Sequence, residues 1–188
     1  MVKNKLRKSL FEQGQSLSDS FITDSNLIIQ SQAIENIDFK SIINNLLYFP
    51  YRYEVSIKLI EKEINKYSNN IYMPRIISNK NMSFNLLDGS PLVKNKYGIN
   101  EINNNKYLDP LSFDCMFIPF VGIDSNGQRL GYGGGYFDRS LEVLKGTKER
   151  PLIVGLGYDY QVSKEVYGEK HDLKYDLVIT ERRVLSFI

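Results

Sequence analysis

Apolar and polar positions along this chain follow two periods, that of an amphipathic helix and that of a buried strand. Apolar side chains three and four residues apart predict helices, and short unbroken apolar runs predict strands. The predicted helices are a basic one ending near Gly14, residues 16–36, one that opens at Glu54, and one that starts at Phe137 and ends at Gly146. The predicted strands are residues 42–49, 71–77, 82–87, 115–121, 151–157, 177–180 and 184–187.

Strands that alternate with helices predict an α/β fold around a mostly parallel sheet, which binds ligands at the carboxyl ends of its strands. Pro74 places its strand near an edge or at a strand end. The Asn-rich residues 94–106 are expected to form a surface loop that covers or flanks the site. No repeat or linker interrupts the pattern, so residues 1–188 are expected to form a single domain. The expected architecture is a three-layer sandwich, Rossmann-like and similar to sugar-phosphate isomerases and CoA-transferases.

The composition excludes several classes of protein. Hydrophobic residues make up 42% of the chain and charged residues 24%, which are globular values. A net charge of +2 argues against a dedicated nucleic-acid binder but leaves room for a local basic pocket. The sequence has neither a signal-peptide core nor a membrane-length apolar run, so a cytoplasmic location is expected. The single cysteine, Cys115, lies in an apolar run and is interpreted as a reduced core thiol.

The most informative segment for function is residues 129–138, Arg-Leu-Gly-Tyr-Gly-Gly-Gly-Tyr-Phe-Asp. Glycine lets the backbone lie against a ligand, so that several N–H groups can point at one anion. A strand pattern precedes the glycines and a helix is predicted after them, where free N–H groups favour phosphate. The segment fits neither the Walker motif nor the dinucleotide fingerprint. It predicts a loop for a phosphorylated ligand, and a plain surface loop or an RNA-contacting segment is the alternative.

Charged residues near this loop could serve it. The first helix carries Lys3 and Arg7 on a basic face, which by itself is typical of a solvated surface. Asp138 follows the glycines, and Asp172 and Asp176 precede a strand. Two such carboxylates beside a phosphate would suit Mg²⁺, which prefers oxygen ligands, and ordinary loop acids are the alternative.

The sequence contains no recognisable protein nucleophile. Its only histidine, His171, is interpreted as a surface or hydrogen-bonding residue, and no catalytic triad or zinc-spaced set of ligands is present. The chemistry is therefore expected to come from positioning and charge neutralisation, as in phosphoryl transfer.

Residues 113–139 closely resemble the signature of the 5-formyltetrahydrofolate cyclo-ligases, also called 5,10-methenyltetrahydrofolate synthetases. The likeness extends over most of the chain. Basic residues 3–8 are similar to the opening helix of the family, Tyr-Phe-Pro-Tyr-x-Tyr-Glu to its substrate segment, and His-Asp-x-x-x-Asp to its last acidic motif. The chain departs from the family at Phe137, where tyrosine is frequent, and at Ile102, where proline commonly follows the glutamate. It also lacks tryptophan.

The resemblance implies an ATP- and Mg²⁺-dependent ring closure of 5-formyltetrahydrofolate, with one or several glutamates in its tail, to 5,10-methenyltetrahydrofolate. ADP and phosphate would be released. ATP and the folate are the expected partners, with no nucleic acid, membrane or obligate protein partner. The alternatives are a sugar-phosphate isomerase or CoA-transferase on a similar sheet, and a non-catalytic anion or RNA binder.

The resemblance also implies the roles of individual residues. Arg129 and Tyr136 would be catalytic, and Asp138 and Asp172 would bind Mg²⁺. Residues in contact with ATP would be Lys3, Arg7, Arg129, Leu130, Gly131, Tyr132, Gly133, Gly134, Gly135, Tyr136 and Phe137. Residues in contact with the folate would be Phe49, Glu54, Tyr132, Gly133, Gly134, Gly135 and Tyr136, with Glu54 accepting hydrogen bonds from the pterin ring.

Overall fold

A computed structural model describes residues 2–78, 80–169 and 172–188. The helices are α1 Val2–Gln15, α2 Asp19–Asn36, α3 Lys58–Asn65 and α4 Tyr136–Ser140. The strands are β1 Asn44–Leu46, β2 Asn70–Ser78, β3 Asn81–Leu86, β4 Leu92–Lys94, β5 Asn100–Ile102, β6 Cys115–Phe117, β7 Gly122–Ile123, β8 Arg129–Leu130, β9 Leu152–Leu156, β10 Leu177–Ile179 and β11 Val184–Ser186.

A central seven-stranded sheet organises the chain in the order β11-β10-β9-β6-β1-β2-β3. The five inner strands run parallel to one another. The edge strands β3 and β11 pair antiparallel. The prediction of an α/β fold with a mostly parallel sheet is therefore confirmed.

Two hydrophobic clusters occupy the two faces of this sheet. Neighbouring residues of one strand point to opposite faces, so Leu46 packs in one cluster and Leu47 in the other. Helices α2 and α3 cover the first face, for example through Ile29 and Ile60. The chain after α4 covers the second face through Leu141. The molecule is thus layered as helix, sheet and helix. Cys115 is fully buried and unpaired, as predicted, and burial raises the pKa of its thiol.

Several predicted elements differ in extent. The third helix begins at Lys58, so Glu54 lies in the segment before it and is not part of its first turn. The helix after the glycines ends at Ser140, because Leu141 leaves the helical region with φ −107°, and a 3-10 turn at Glu142–Leu144 follows. Several strands are shorter than their apolar runs, which continue as buried loops.

The Asn-rich segment 94–106, predicted as a loop, contains the turn and the second strand of the β4–β5 hairpin. Its turn includes Gly98, whose φ is +79°, a value that glycine adopts without strain. Pro74 lies in the middle of β2 but beyond the end of β1, where β2 pairs only with β3, which agrees with the predicted position near an edge of the sheet.

Helix α1 lies outside the main layers and packs on the β7–β8 hairpin. Leu10 of the helix is buried against Val121 and Leu130. Because β8 leads into the glycines, this contact places α1 beside them. Within the described ranges, no helix is long and apolar enough to span a membrane.

Candidate active site

A cavity of about 300 Å³ opens at the carboxyl ends of β1 and β6, where the fold class predicts a ligand site. Most of its wall comes from three segments, namely the chain after β1, the glycine segment and the β4–β5 hairpin, and residues of β2, β3 and the chain after β6 complete it. Its lining includes Tyr48, Phe49, Tyr51, Arg52, Glu54, Pro74, Ile76, Met82, Asn95, Tyr97, Ile99, Glu101, Pro119, Arg129, Gly131, Tyr132, Gly134, Gly135, Tyr136, Phe137 and Asp138. The predicted folate segment and the predicted nucleotide loop therefore share one cavity.

The glycine loop presents backbone donors at this cavity. Gly133 and Gly135 have φ values of +93° and +69°, which only glycine adopts readily. A Cβ on Gly134 would lie 2.8 Å from the ring of Tyr136. Among the described residues, the N–H groups of residues 133–136 donate to no protein acceptor. The loop can therefore offer several N–H groups to one anionic ligand.

Arg129 lies buried in the cavity wall below the loop, with 6% of its surface exposed. Its Nε donates to the carbonyl of Pro119 at 2.9 Å, and Nη1 donates to both carboxylate oxygens of Asp138 at 3.1 and 3.0 Å. A Cβ on Gly131 would lie 2.6 Å from Nη2 of Arg129, so glycine is needed at this position. The guanidinium is thus held in one orientation at the edge of the cavity.

The two members of this ion pair keep their charges. Burial alone would raise the pKa of Asp138, but Arg129 and the N–H of Leu173 outweigh burial and lower it. Burial would likewise lower the pKa of Arg129, and the Asp138 carboxylate raises it. The pair is therefore ionised across the physiological range.

Glu54 is the carboxylate of the segment after β1. Its Oε2 accepts the N–H of Tyr51 at 2.8 Å. Burial raises the pKa of Glu54 to about 7, although the Tyr51 N–H, the Tyr132 hydroxyl and the charge of Arg129 each act to lower it. A carboxylate in this state can accept hydrogen bonds at neutral pH and can also carry a proton under mildly acidic conditions.

Tyr132 connects the glycine loop to neighbouring aromatic side chains. Its ring stacks on Phe11 of α1 with centroids 5.5 Å apart and meets Tyr51 at 5.6 Å. The guanidinium of Arg52 lies 5.4 Å from the Phe11 ring and 5.1 Å from the Tyr51 ring. This packing joins α1, the segment after β1 and the loop on one side of the cavity.

Tyr136 forms the corresponding contact with the β4–β5 hairpin. Its hydroxyl lies 3.2 Å from that of Tyr97, and the Nζ of Lys96 lies 5.9 Å from its ring centroid. Hydrogen bonds from Tyr97 and Lys96 lower the pKa of Tyr136. The hairpin thus reaches the loop residue predicted to be catalytic.

Helix α1 brings its two predicted nucleotide residues to this region. Arg7 donates from Nε to the carbonyl of Gly131 at 2.7 Å and from Nη1 to Asn4 at 2.6 Å. Lys3 donates to Oδ2 of Asp172 at 2.6 Å and lies 3.3 Å from Glu169. Neither residue belongs to a merely solvated face, so the interpretation from charge pattern alone was wrong for these two positions.

The three candidate carboxylates separate into two places. Leu173, which follows Asp172, donates its N–H to Oδ1 of Asp138 at 3.4 Å, so Asp138 and Asp172 lie on adjoining segments. Asp176 is instead buried in a bidentate pair with Arg150 and accepts the N–H of Ile153 at 2.8 Å. It does not line the cavity and serves the framework, contrary to its place among the sequence candidates.

The metal prediction remains open. His171 falls outside the described residues. Among the residues that are described, no group of three or more His, Cys, Asp or Glu side chains could by itself hold a metal ion.

Sequence reasoning placed residues 94–106 over or beside the site but predicted neither the β4–β5 hairpin nor which of its residues line the cavity. Asn95, Tyr97, Ile99 and Glu101 line the cavity but lie in the segment predicted as a flanking loop. The available signal for a hairpin was Gly98, a turn residue between short segments that each contain apolar residues. The many asparagines hid that signal.

Comparison with known proteins identifies the family of the chain. The model of the 5-formyltetrahydrofolate cyclo-ligase family matches residues 1–181. A 5-formyltetrahydrofolate cyclo-ligase of Haemophilus influenzae is 30% identical over 183 residues, which cover 93% of this chain and 92% of that protein. One of Mycoplasma genitalium is 29% identical over 181 residues, with 94% and 96% covered.

A solved structure agrees as well. The NMR structure of 5,10-methenyltetrahydrofolate synthetase from Aquifex aeolicus superposes with a TM-score of 0.86 at 26% identity, covering 100% of this chain and 93% of that one. The family match extends over nearly the whole chain and includes both the glycine loop and the segment after β1. By sequence and by fold, the chain belongs to the 5-formyltetrahydrofolate cyclo-ligase family.

Proposed function

We propose that this protein converts 5-formyltetrahydrofolate and ATP to 5,10-methenyltetrahydrofolate, ADP and phosphate in a Mg²⁺-dependent reaction. The observation that carries the proposal is the shared cavity, in which unpaired loop N–H groups meet the walls formed by Phe49 and Glu54. The loop suits an anionic phosphate chain, and the walls suit a flat heterocycle with N–H donors.

The nucleotide would lie along the glycine loop. Residues 133–136 offer backbone donors, and Arg7 and Lys3 hold α1 beside the loop. These cations would add charge to the phosphate side of the site. Leu130 and Phe137 flank the loop and complete the proposed nucleotide contacts.

The folate would enter beside Phe49 with its pterin ring toward Glu54. The carboxylate of Glu54 is an acceptor within the cavity wall, and the N–H groups of a pterin are donors. Tyr132 and Tyr136 line the same cavity and can pack on the substrate between the pterin and the loop.

The reaction follows from the weak leaving ability of the formyl oxygen. That oxygen attacks the γ-phosphorus, the bond to the β–γ bridging oxygen breaks, and ADP departs. The lone pair of N10 then forms the new C–N bond at the activated carbon. Phosphate leaves with the former formyl oxygen, and the nitrogen loses its proton. No protein nucleophile is required, and the protein contributes alignment of oxygen, phosphorus and N10.

Arg129 is suited to stabilise charge in this sequence. Its guanidinium is fixed by the Pro119 carbonyl and Asp138 before any ligand binds, so little reorganisation accompanies the reaction. The loop N–H groups are fixed in the same way by Gly133 and Gly135. The hydroxyl of Tyr136, held beside Tyr97, would position the reacting groups as a hydrogen-bonding partner.

Asp138 and Asp172 have the chemistry of a Mg²⁺ site. They are hard oxygen donors on adjoining segments, and Mg²⁺ commonly uses one or two carboxylates together with phosphate and water oxygens. Each carboxylate already pairs with a cation, Asp138 with Arg129 and Asp172 with Lys3. The two carboxylates would therefore give the ion only part of its ligands, and phosphate oxygens would supply much of the rest. When bound, the ion would neutralise charge on the phosphates.

A cyclisation assay tests the proposal. Purified protein with Mg²⁺, ATP and 5-formyltetrahydrofolate is expected to form the methenyl chromophore, which absorbance detects. Omission of ATP or chelation of Mg²⁺ should abolish the signal. Release of one ADP for each methenyl group formed would establish the stoichiometry, and absence of product from folded protein would overturn the proposal.

A further inference from the structure

Glu101, on β5, is a buried carboxylate in the cavity wall. Only 6% of its surface is exposed, and it lines the cavity together with Glu54. Its Oε1 accepts two hydrogen bonds, from the N–H of Ile76 at 2.9 Å and from Nδ2 of Asn95 at 2.8 Å. Both framework donors therefore use the same oxygen.

The other oxygen, Oε2, accepts no hydrogen bond from the residues that the structure describes, and Glu101 forms no ion pair with them. A largely buried carboxylate without a cation is unusual. Its Oε2 is not itself fully buried, because the buried side-chain atoms without a hydrogen-bond partner in the described residues are Asn45 Oδ1 and the Tyr167 hydroxyl, so Oε2 is open to the cavity that Glu101 lines. The cavity beside Oε2 is the place where a partner can bind. Glu101 is thus an acceptor whose free oxygen is available to whatever fills the cavity.

The side chain is held in this orientation before a ligand arrives. Asn95, which donates to Glu101, uses its Oδ1 to accept the N–H groups of Tyr97 and Ile99 at 2.9 and 3.2 Å. The turn of the hairpin therefore fixes Asn95, and Asn95 fixes Glu101. Such a network is the arrangement expected of a preorganised binding group.

The charges of the cavity select which end of a ligand faces Glu101. Three carboxylates in the described part of the chain line the cavity, and the one on Asp138 is paired with Arg129. Glu54 and Glu101 have no ion-pair partner among the described residues, so their part of the cavity favours N–H donors over anions. The cations Arg52 and Lys96 are exposed and lie against aromatic rings of the cavity lining. A reduced folate has N–H donors on its pterin ring and carboxylates at its glutamate end, so it matches this distribution with the pterin inside.

We infer that Glu101 is a second carboxylate of the folate site and accepts a hydrogen bond from an N–H group of the reduced pterin through its free oxygen. The inference rests on the proposed function, because it assigns a further binding residue for the same substrate. Asn95 acts through Glu101 and is a positioning residue.

The variant Glu101→Gln separates binding from framework roles. Ile76 and Asn95 both donate to one oxygen, so the amide oxygen of glutamine can take that place and keep both framework bonds. The amide NH₂ of the glutamine then faces the cavity. It would meet the N–H donor of the pterin with a second donor and could not accept its hydrogen bond. We expect KM for 5-formyltetrahydrofolate to rise about tenfold or more, the typical effect of losing a charge-assisted hydrogen bond. KM for ATP and the melting temperature should stay near wild-type values.

The matched control is Glu35→Gln, an exposed glutamate on α2 that removes the same charge far from the cavity lining. Wild-type turnover in the same assay establishes the proposed function independently, so its failure is distinguishable from failure of this inference. An unchanged folate KM in Glu101→Gln, with or without a lower melting temperature, would mean that Glu101 only braces the hairpin.

A structure of the wild-type protein with 5-formyltetrahydrofolate gives a test that needs no variant. A pterin nitrogen within hydrogen-bond distance of Oε2 of Glu101 is expected. A pterin whose N–H groups are all paired elsewhere would overturn the inference.

Discussion

Nη1 of Arg129 lies 3.1 and 3.0 Å from the two carboxylate oxygens of Asp138, so one guanidinium nitrogen serves both oxygens across the glycine loop. The remaining guanidinium nitrogen, Nη2, lies toward Gly131, where a Cβ would collide with it. The ion pair thus closes the base of the loop and leaves charge directed at the loop backbone.

The first prediction concerns Arg129→Lys. Lysine keeps the charge but cannot reach the Pro119 carbonyl and Asp138 in the fork geometry of arginine. We expect kcat/KM to fall about a hundredfold, as when a preorganised charge-stabilising group is lost. Initial rates from methenyl absorbance measure it. Arg150→Lys is the control, because Arg150 forms a similar pair with Asp176 outside the cavity. Equal losses in both variants would indicate a general stability effect.

The second prediction concerns substrate binding and pH. Because burial raises the pKa of Glu54 to about 7, its acceptor oxygens become protonated in mildly acidic solution. The KM for 5-formyltetrahydrofolate is therefore expected to rise as pH falls from 8 to 6 in the wild type. Glu54→Gln should give a higher folate KM that varies less with pH, with KM for ATP unchanged. A wild-type folate KM that is flat over this range would contradict the role of Glu54.

The third prediction concerns stability and the same carboxylate. The pKa of Glu54 in the folded state, about 7, exceeds its ordinary value of 4.5, so the folded protein binds the proton more tightly than the unfolded chain does. The contribution to the free energy of unfolding is complete below pH 4.5 and declines as pH rises toward 7. The Glu54→Gln variant has no carboxyl group at this position, so its stability should not show that decline. The melting temperature of the variant minus that of the wild type should therefore increase between pH 5 and pH 8. Thermal unfolding at several pH values measures it, with Glu35→Gln as the control.

The fourth prediction concerns the left-handed glycines. Gly135 and Gly89 have φ values of +69° and +82°, and open space surrounds the position of a Cβ on each. Alanine at either site should therefore cost a similar amount of stability, about 1 kcal/mol, through backbone strain. Only Gly135→Ala should also raise KM for ATP, because a shift of its backbone moves the loop N–H groups. Equal ATP KM values in the two variants would argue against a nucleotide at this loop.

The fifth prediction concerns Lys3. Lys3→Met removes the cation that pairs with Asp172, whereas Lys5→Met removes an exposed cation from the same helix. We expect KM for ATP to rise several-fold in the first variant and to stay constant in the second, as one charge-assisted contact is lost. ATP titrations at fixed folate concentration measure the difference. Matching KM values would mean that Lys3 only anchors α1.

The sequence predicted best those features that depend only on residues close together in the chain. Unbroken apolar runs marked the inner strands because both faces of those strands are covered. The glycines marked the loop because its backbone conformation excludes other residues at Gly133 and Gly135. The family resemblance then located Phe49 and Glu54, which no local pattern distinguishes from framework residues.

The remaining features of the site depend on contacts between segments that are distant in the sequence, and these could not be predicted. Asp172 and Asp176 have the same character in sequence, but one lies beside α1 and Asp138 while the other pairs with Arg150. Glu101 was hidden in a polar segment, since its burial depends on the hairpin packing against β2. Period and composition cannot predict such contacts, because they depend on which distant segment arrives as a neighbour.

The attachment of α1 also determines when the proposed site can exist during synthesis. Lys3 contacts a residue 169 positions later, and Arg7 contacts one 124 positions later. These contacts of α1 can therefore form only after the segments that contain Gly131 and Asp172 have been synthesised. Truncated translation products that end before Asp172 would lack the contact of Lys3 with that residue, so α1 would be held less firmly beside the glycine loop.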